Sequence, residues 1–325
     1  MRALIAILAI TLLLPITASA QSLGNTDTFT ISVNPQYPTP FSKASLSFLS
    51  STIDLTNAVV LVSVGGKQIY QGSVRPVAIT LGKAGSMVSV TVIVSSAGKQ
   101  YAKSVTIQPQ DVALIAEPVA SAPALYKGKP LIPLEGAVRV VAMANVQSAN
   151  GEPINPASLS YAWTVEGTRI ANSSGIGKSS ILVASPLQYR AIDVSVDVQS
   201  QEGDLVGGDS ITLIDAEPVV RIYTNDPLLG ILFDHALTSP YAIRGSEERL
   251  FAAPFSLPLT KGVPLLQWFL NGTAAQTGNS LTLRPAGSGE GGAELSLTAS
   301  AGATEATAAL SLTFGAKPSS NFFGL

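Results

Sequence analysis

Ile192-Asp193-Val194-Ser195-Val196-Asp197-Val198 alternates apolar and polar residues without a break, and that period of two decides the fold. Successive side chains of a strand point to opposite faces, so the aliphatic residues share one side and Asp193, Ser195 and Asp197 the other. A half-buried antiparallel strand needs that arrangement. Outward from it, Ser200-Gln201-Glu202-Gly203 is a turn, and a second β run ends at Ile211 to Ile214. The unit recurs upstream, where Val88 to Val92 meets Ser96-Ala97-Gly98 and continues to Val105 to Ile107. It recurs downstream, where Leu295 to Thr298 meets Ser300-Ala301-Gly302 and continues to Leu310 to Phe314. Glycine in such turns supplies the positive φ of a tight hairpin.

Three hairpins about one hundred residues apart imply one small domain used three times, since a unit of that length closes its own core. Shorter matches extend the repeat. Ala-Glu-Pro-Val stands at 116–119 and 216–219, each followed by Y-x3-P-L, at Tyr126/Pro130/Leu131 and Tyr223/Pro227/Leu228. W-x3-G-T stands at Trp163/Gly167/Thr168 and Trp268/Gly272/Thr273, and Val62 before Gly66 takes the bulky place in the first unit. A lone Trp on a central strand is the usual plug of a two-sheet sandwich. The expected organisation is a leader over 1–20, domains over 27–110, 111–214 and 215–315, and a tail over 316–325. The fold class is all-β, a tandem array of three antiparallel β-sandwiches.

Composition sets the surroundings. Met1 to Ala20 reads as a secretory signal peptide: Arg2 is the charged start, Ala3 to Leu14 the apolar stretch, and Ala18-Ser19-Ala20 the cleavage site. The apolar stretch is short of the roughly 18 to 20 residues that span a bilayer, and Pro15 interrupts it. Cleavage would leave Gln21 first and no membrane span in the mature chain. The formal charge is −2, or −3 once Arg2 is lost, which attracts neither nucleic acid nor an anionic membrane. Charged residues make up only 12% of the chain and 46% are hydrophobic, so a β-rich exported protein fits better than a disordered one. There is no cysteine, so neither a disulfide nor a lipid-modified cysteine holds the protein.

Tyr161-Ala162-Trp163 followed by Gly167, then Tyr189 ahead of the Val-rich strand and its Gly hairpin, resembles the PKD-type and related immunoglobulin-like modules of prokaryotic exported surface proteins. The resemblance covers most of the second unit and is weaker in the third. In the first it is topological only. The F-G-D-G turn common in such modules is replaced by Val165-Glu166-Gly167-Thr168 and Leu270-Asn271-Gly272-Thr273. The resemblance implies spacer, adhesion or protein-contact roles and no catalysis.

The residues that carry chemistry elsewhere carry little here. His235 is the single histidine, beside Asp234. In an extended segment the two point to opposite faces, so no triad is expected. Ser96-Ala97-Gly98-Lys99 matches S-x-x-K but falls on a hairpin tip, where the helical spacing of that motif is lost. Gly177-Lys178-Ser179 resembles the end of a phosphate loop without its earlier glycine. Glu202, Asp204 and Asp209, with Asp111/Glu117 and Asp215/Glu217 at the junctions, lack the D-x-D-x-D run of a calcium loop. No catalytic residue, cofactor or metal site is expected.

Two regions stand out as contact surfaces. Tyr126 to Trp163 spans 37 positions and Tyr223 to Trp268 spans 45, and the extra length falls in a charged stretch with His235, Tyr241, Arg244, Glu247, Glu248 and Arg249. Loops on a rigid scaffold are where recognition resides. The tail ends Asn321-Phe322-Phe323-Gly324-Leu325, and apolar groups such as Phe322, Phe323 and Leu325 are costly to leave in water. They either fold back on the third unit or dock into a neighbour. Tyr241, Arg244, Glu247, Arg249, Phe322, Phe323 and Leu325 are therefore the expected partner-binding residues.

The expected protein is an exported, non-enzymatic structural or adhesive component of a cell envelope or surface appendage. Its expected partner is another envelope or appendage protein. A carbohydrate-binding array is the first alternative, with Tyr223 and Tyr241 as the aromatics to stack on a glycan. A hydrolase using carboxylates alone is the second.

Overall fold

The computed structural model describes residues 29–124, 126–286 and 290–315. The leader and the tail lie outside them. Among the described residues every extended element is a β-strand, and the only helical turns are short 3-10 segments at Pro156–Ser158 and Ala171–Ser173. No helix among these residues is long and apolar enough to cross a membrane.

The first set of strands is β1 (Thr30–Asn34), β2 (Lys43–Leu49), β3 (Val59–Val64), β4 (Lys67–Ser73), β5 (Val77–Thr80), β6 (Val88–Ser96) and β7 (Lys99–Ile107). They pair in the orders β1-β2-β5 and β4-β3-β6-β7. The second set is β8 (Asp111–Pro118), β9 (Ala137–Asn145), β10 (Ser160–Val165), β11 (Thr168–Arg169), β12 (Gly175–Ile176), β13 (Ser180–Ala184), β14 (Ala191–Gln199) and β15 (Val206–Ile214). Its sheets run β13-β9-β8 and β11-β10-β14-β15, with β12 also on β10. The third set is β16 (Val219–Asp226), β17 (Gly230–Ile231), β18 (Tyr241–Ile243), β19 (Glu248–Phe255), β20 (Leu265–Leu270), β21 (Thr273–Thr277), β22 (Ser280–Leu283), β23 (Gly291–Ala301) and β24 (Thr304–Phe314). Here the orders are β17-β16-β19-β22 and β18-β24-β23-β20-β21. In each set the last hairpin lies beside the central strand, and the first two long strands belong to the other sheet. That crossing of strands between two sheets is the immunoglobulin-like sandwich.

By compactness the chain divides into two units. One comprises the described residues up to 32 with 46–77 and 90–105; the other comprises 33–45, 78–89 and 106 onward. Within the first unit Phe29, Leu46, Phe48, Val60, Val62, Val90, Val92 and Val94 are buried. Val62 occupies the expected bulky place. Within the second unit the second and third sandwiches have their own cores, around Trp163 and Trp268, and neither indole is exposed at all. Each indole N–H is satisfied, donating to Lys178 O and to Gly278 O, both at 2.9 Å. A buried Trp keeps its place only if that proton finds an acceptor.

W-x3-G-T marks equivalent positions because it encodes a turn. Glu166-Gly167 and Asn271-Gly272 all have positive φ, at 49°, 72°, 49° and 77°, and Gly65-Gly66 does the same at 55° and 80°. Two successive left-handed residues make the hairpin turn whose twist matches its strands. The residue before the glycine also ties the turn to the next strand. Glu166 N donates to Asp193 O at 3.0 Å while Asp193 N donates to Glu166 Oε1 at 2.5 Å. Asn271 and Glu294 repeat that exchange at 2.8 and 2.9 Å.

Ala-Glu-Pro-Val, by contrast, is not one position used twice. Ala116-Glu117-Pro118 ends β8, whereas Ala216-Glu217-Pro218 precedes β16. Tyr126 lies in the connection from β8 to β9, and Tyr223 lies on β16. A proline is at home just after or just before regular pairing, so the tetrapeptide suits either place. The extra length counted between those tyrosines and the tryptophans therefore does not measure an insertion at equivalent positions.

The second and third sandwiches are joined by backbone pairing. Ser121 N donates to Leu257 O at 2.8 Å, Ser256 N to Ser121 O at 3.0 Å, and Leu259 N to Val119 O at 3.0 Å. Leu257 N donates to Ser121 Oγ at 3.0 Å, and Leu257 is fully buried. Ala216 N donates to Ile132 O at 2.9 Å, and Tyr126 meets Phe255 edge-on at 5.1 Å. The second unit also holds Gln110, buried and bonded through both side-chain ends to the backbone of Gln147.

Candidate interaction surface

The charged stretch of the third sandwich forms one cluster at the end away from the second. Glu247 lies between two arginines, accepting from Arg249 Nε at 2.8 Å and from Arg284 Nε at 2.9 Å. Those bonds hold its carboxyl below the usual carboxylate range. Arg284, on the far side of β22, is absent from the sequence expectation because 37 residues separate it from Glu247 and only sheet pairing brings them together. Arg244 reaches the rim of a neighbouring groove. Tyr241 does something else. It is half-buried, its hydroxyl donates to Glu248 Oε1 at 2.8 Å, and burial first and then that carboxylate push the phenol up. It pins β18 to β19. Phe322, Phe323 and Leu325 lie outside the described residues.

The groove lies where the chain leaves the third sandwich and has a volume of about 910 Å³. Ile243, Leu281 and Leu312 form its buried floor, and Leu283 and Phe314 its walls. A second cleft of about 700 Å³ lies at the junction of the second and third sandwiches, among Glu135, Arg190, Glu217 and Glu305.

One of the sequence expectations about reactive side chains changes. Asp234 and His235 do meet, with Asp234 Oδ2 2.7 Å from His235 Nδ1, because the chain turns there instead of running extended. Both side chains are largely in water, at 68% and 73% exposure, and among the described residues no hydroxyl is hydrogen-bonded to the imidazole. Ser96 Oγ donates to Asp54 O at 2.9 Å on its hairpin tip, away from any helical spacing to Lys99. Three of the calcium candidates have other work. Asp209 Oδ2 accepts from Leu114 N at 2.7 Å, Asp204 from Ser200 Oγ at 2.5 Å, and Glu117 is paired with Arg139. Among the described residues no three acidic or histidine side chains converge as metal ligands.

The aromatics proposed for glycan stacking are also corrected. Tyr223 is buried, edge-on to Phe233 at 5.2 Å, and Tyr241 is committed to its hydrogen bond. Tyr189 is far more exposed, at 89%, with a positive φ of 63°. Tyr223 and Tyr241 lie on strands and Tyr189 in a connection, and without knowing those strands sequence alone could not separate the three tyrosines.

These observations define a class, a tandem array of immunoglobulin-like sandwiches. No particular protein follows from comparison. No protein-family model matches the chain, and no curated protein matches it by sequence. Similar solved structures include the three N-terminal domains of the bacteriophage RB49 highly immunogenic outer capsid protein, at 10% identity over 89% of this chain and 100% of that one, with a TM-score of 0.25. The central fibronectin-III array of RIM-binding protein is 8% identical over 87% of this chain and 95% of that one, with a TM-score of 0.31. Sidekick-1 immunoglobulin domains 1–5 are 9% identical over 88% and 58%, with a TM-score of 0.28. At such scores the chains do not superpose as wholes, and the class rests on the strand pairing itself.

Proposed function

We propose that this is an exported, non-enzymatic structural or adhesive protein of a cell envelope or surface appendage, built from modules at 27–110, 111–214 and 215–315. The observation that carries the reading is the backbone pairing of Val119 to Ser121 with Ser256 to Leu259, which holds two sandwiches as one body. A protein whose task is to present contact surfaces at a set spacing needs such a joint. An enzyme would need converging groups in a pocket. Export rests on the leader, and the PKD type rests on Tyr161-Ala162-Trp163 with Gly167. The partner is another envelope or appendage protein, met through the Arg244, Glu247 and Arg249 surface.

The test is fractionation of native cells followed by N-terminal sequencing of the protein. The expected result is an envelope or extracellular protein beginning at Gln21, cross-linked in situ to one envelope protein and released from it by Arg249→Glu. A chain with its leader intact in the cell interior would overturn the export reading. One observation favours a second reading, a glycan-binding array, because exposed Tyr189 offers an aromatic face. Retention on a glycan that is lost in Tyr189→Ala would select it.

A further inference from the structure

We propose that the groove at the outer end of the third sandwich is the seat of the chain's own C-terminal segment, with Phe322 and Phe323 as the inserted side chains. This goes beyond the export reading and does not depend on it.

The argument begins with why the groove exists. The two tryptophans align the second and third sandwiches, since Trp163 pairs with Val196 and Trp268 with Leu297. In that alignment Ile192 and its partner Leu213 correspond to Ala293 and its partner Leu312. Ile192 packs against the core of its own sandwich and fills its end. Ala293 offers a single methyl in the same inward place, and Gly291 and Gly292 before it offer nothing. A Cβ on Gly291 would stand 3.4 Å from the Phe314 ring, so the side chain missing there is one that would have reached the groove wall. Small residues at the start of β23 leave space between the apolar walls of the groove. Leu283 and Phe314 stay only partly buried as a result.

The occupant is indicated by where the chain goes next. Phe314 and Gly315 line the groove themselves, and Ala316 to Leu325 follow directly. Phe322 is seven residues past Gly315, so at about 3.3 to 3.6 Å per residue it reaches back across the groove mouth with length to spare. Tethering so short a segment raises its local concentration to the millimolar range, far above that of a partner in solution. The chemistry matches. The segment carries one charged side chain, Lys317, close to its anchor, and a run of Phe-Phe at the distance a return requires. A volume of about 910 Å³ suits two aromatic side chains, lying within the range of about 300 to 1,000 Å³ that ligand pockets span.

The experiment uses the full chain with p-benzoylphenylalanine in place of Phe323, irradiated at low micromolar concentration. The expected product is a cross-link within one chain to the strands bearing Ile243, Leu281 to Leu283 or Leu312 to Phe314. Filling the groove from inside with Ala293→Ile, the residue of the second sandwich, should lower that yield about tenfold through overpacking, with folding checked by circular dichroism. Ala293→Val serves if isoleucine perturbs the fold. Cross-links only between chains, cross-links to another face, no cross-link at all, or an unchanged yield in a folded Ala293→Ile protein would each overturn the proposal.

Discussion

Trp163 and Trp268 stabilise their sandwiches by two separable effects, apolar burial of a large ring and satisfaction of the indole N–H by a carbonyl at 2.9 Å. Trp268→Ala removes both and leaves a cavity among Leu250, Leu295 and Leu297, at a cost of about 3 to 5 kcal/mol. Urea denaturation followed by circular dichroism should register that loss. Trp268→Phe keeps most of the apolar volume but strands the Gly278 carbonyl, so a smaller loss is expected. The neighbouring turn positions show how much a motif can say. Gly167 and Gly272 are legible from sequence because left-handed backbone selects glycine. The reciprocal bonds of Glu166 with Asp193 and Asn271 with Glu294 are not legible, because their partners lie 27 and 23 residues away.

At the scale of elements, the pairing of the β8–β9 connection with the segment after β19 couples two sandwiches that could each close a core alone. Ser121→Pro deletes the N–H that Leu257 O accepts and the hydroxyl that receives Leu257 N, each worth about 1 kcal/mol net. We expect calorimetry of the wild-type chain to show the second and third sandwiches unfolding together and the variant to show their transitions separated. Two separated transitions in both chains would mean the joint carries no cooperativity. Sequence reading could not anticipate this joint. It had no means of finding the partners, since Ser121 and Leu257 are 136 residues apart and neither belongs to a recognisable motif.

Over the whole molecule, with no cysteine and few charges, stability rests on burial, and buried or half-buried tyrosines make that stability depend on alkali. The Tyr37 phenol is pushed up to about 12 by burial first and by its hydrogen bond to Asp197 second. Tyr161, Tyr223 and Tyr241 are raised as well, burial leading in each. Because the folded state favours the neutral phenol, the contribution is complete below the ordinary value of 10 and is lost as pH rises towards about 12. The denaturation midpoint should therefore fall over that interval, and Tyr37→Phe should make the fall shallower. An identical pH profile in wild type and variant would show that Tyr37 is not sequestered.

Ile192 to Val198, the repeated Gly hairpins and the two tryptophans determined by themselves that this chain is a series of antiparallel sandwiches. Those features are local: alternation sets the face, glycine sets the turn, and a bulky residue four before a glycine marks the central strand. What only the tertiary structure decided is every matter of which surfaces meet. The two copies of Ala-Glu-Pro-Val proved to be different positions, Asp234 and His235 proved to be paired, and Tyr223 proved to be core. Arg284 joined Glu247 and Arg249, and Ala293 left a groove where Ile192 fills one. Each of these depends on pairing across tens of residues, and a period of two carries no record of which strand lies beside which.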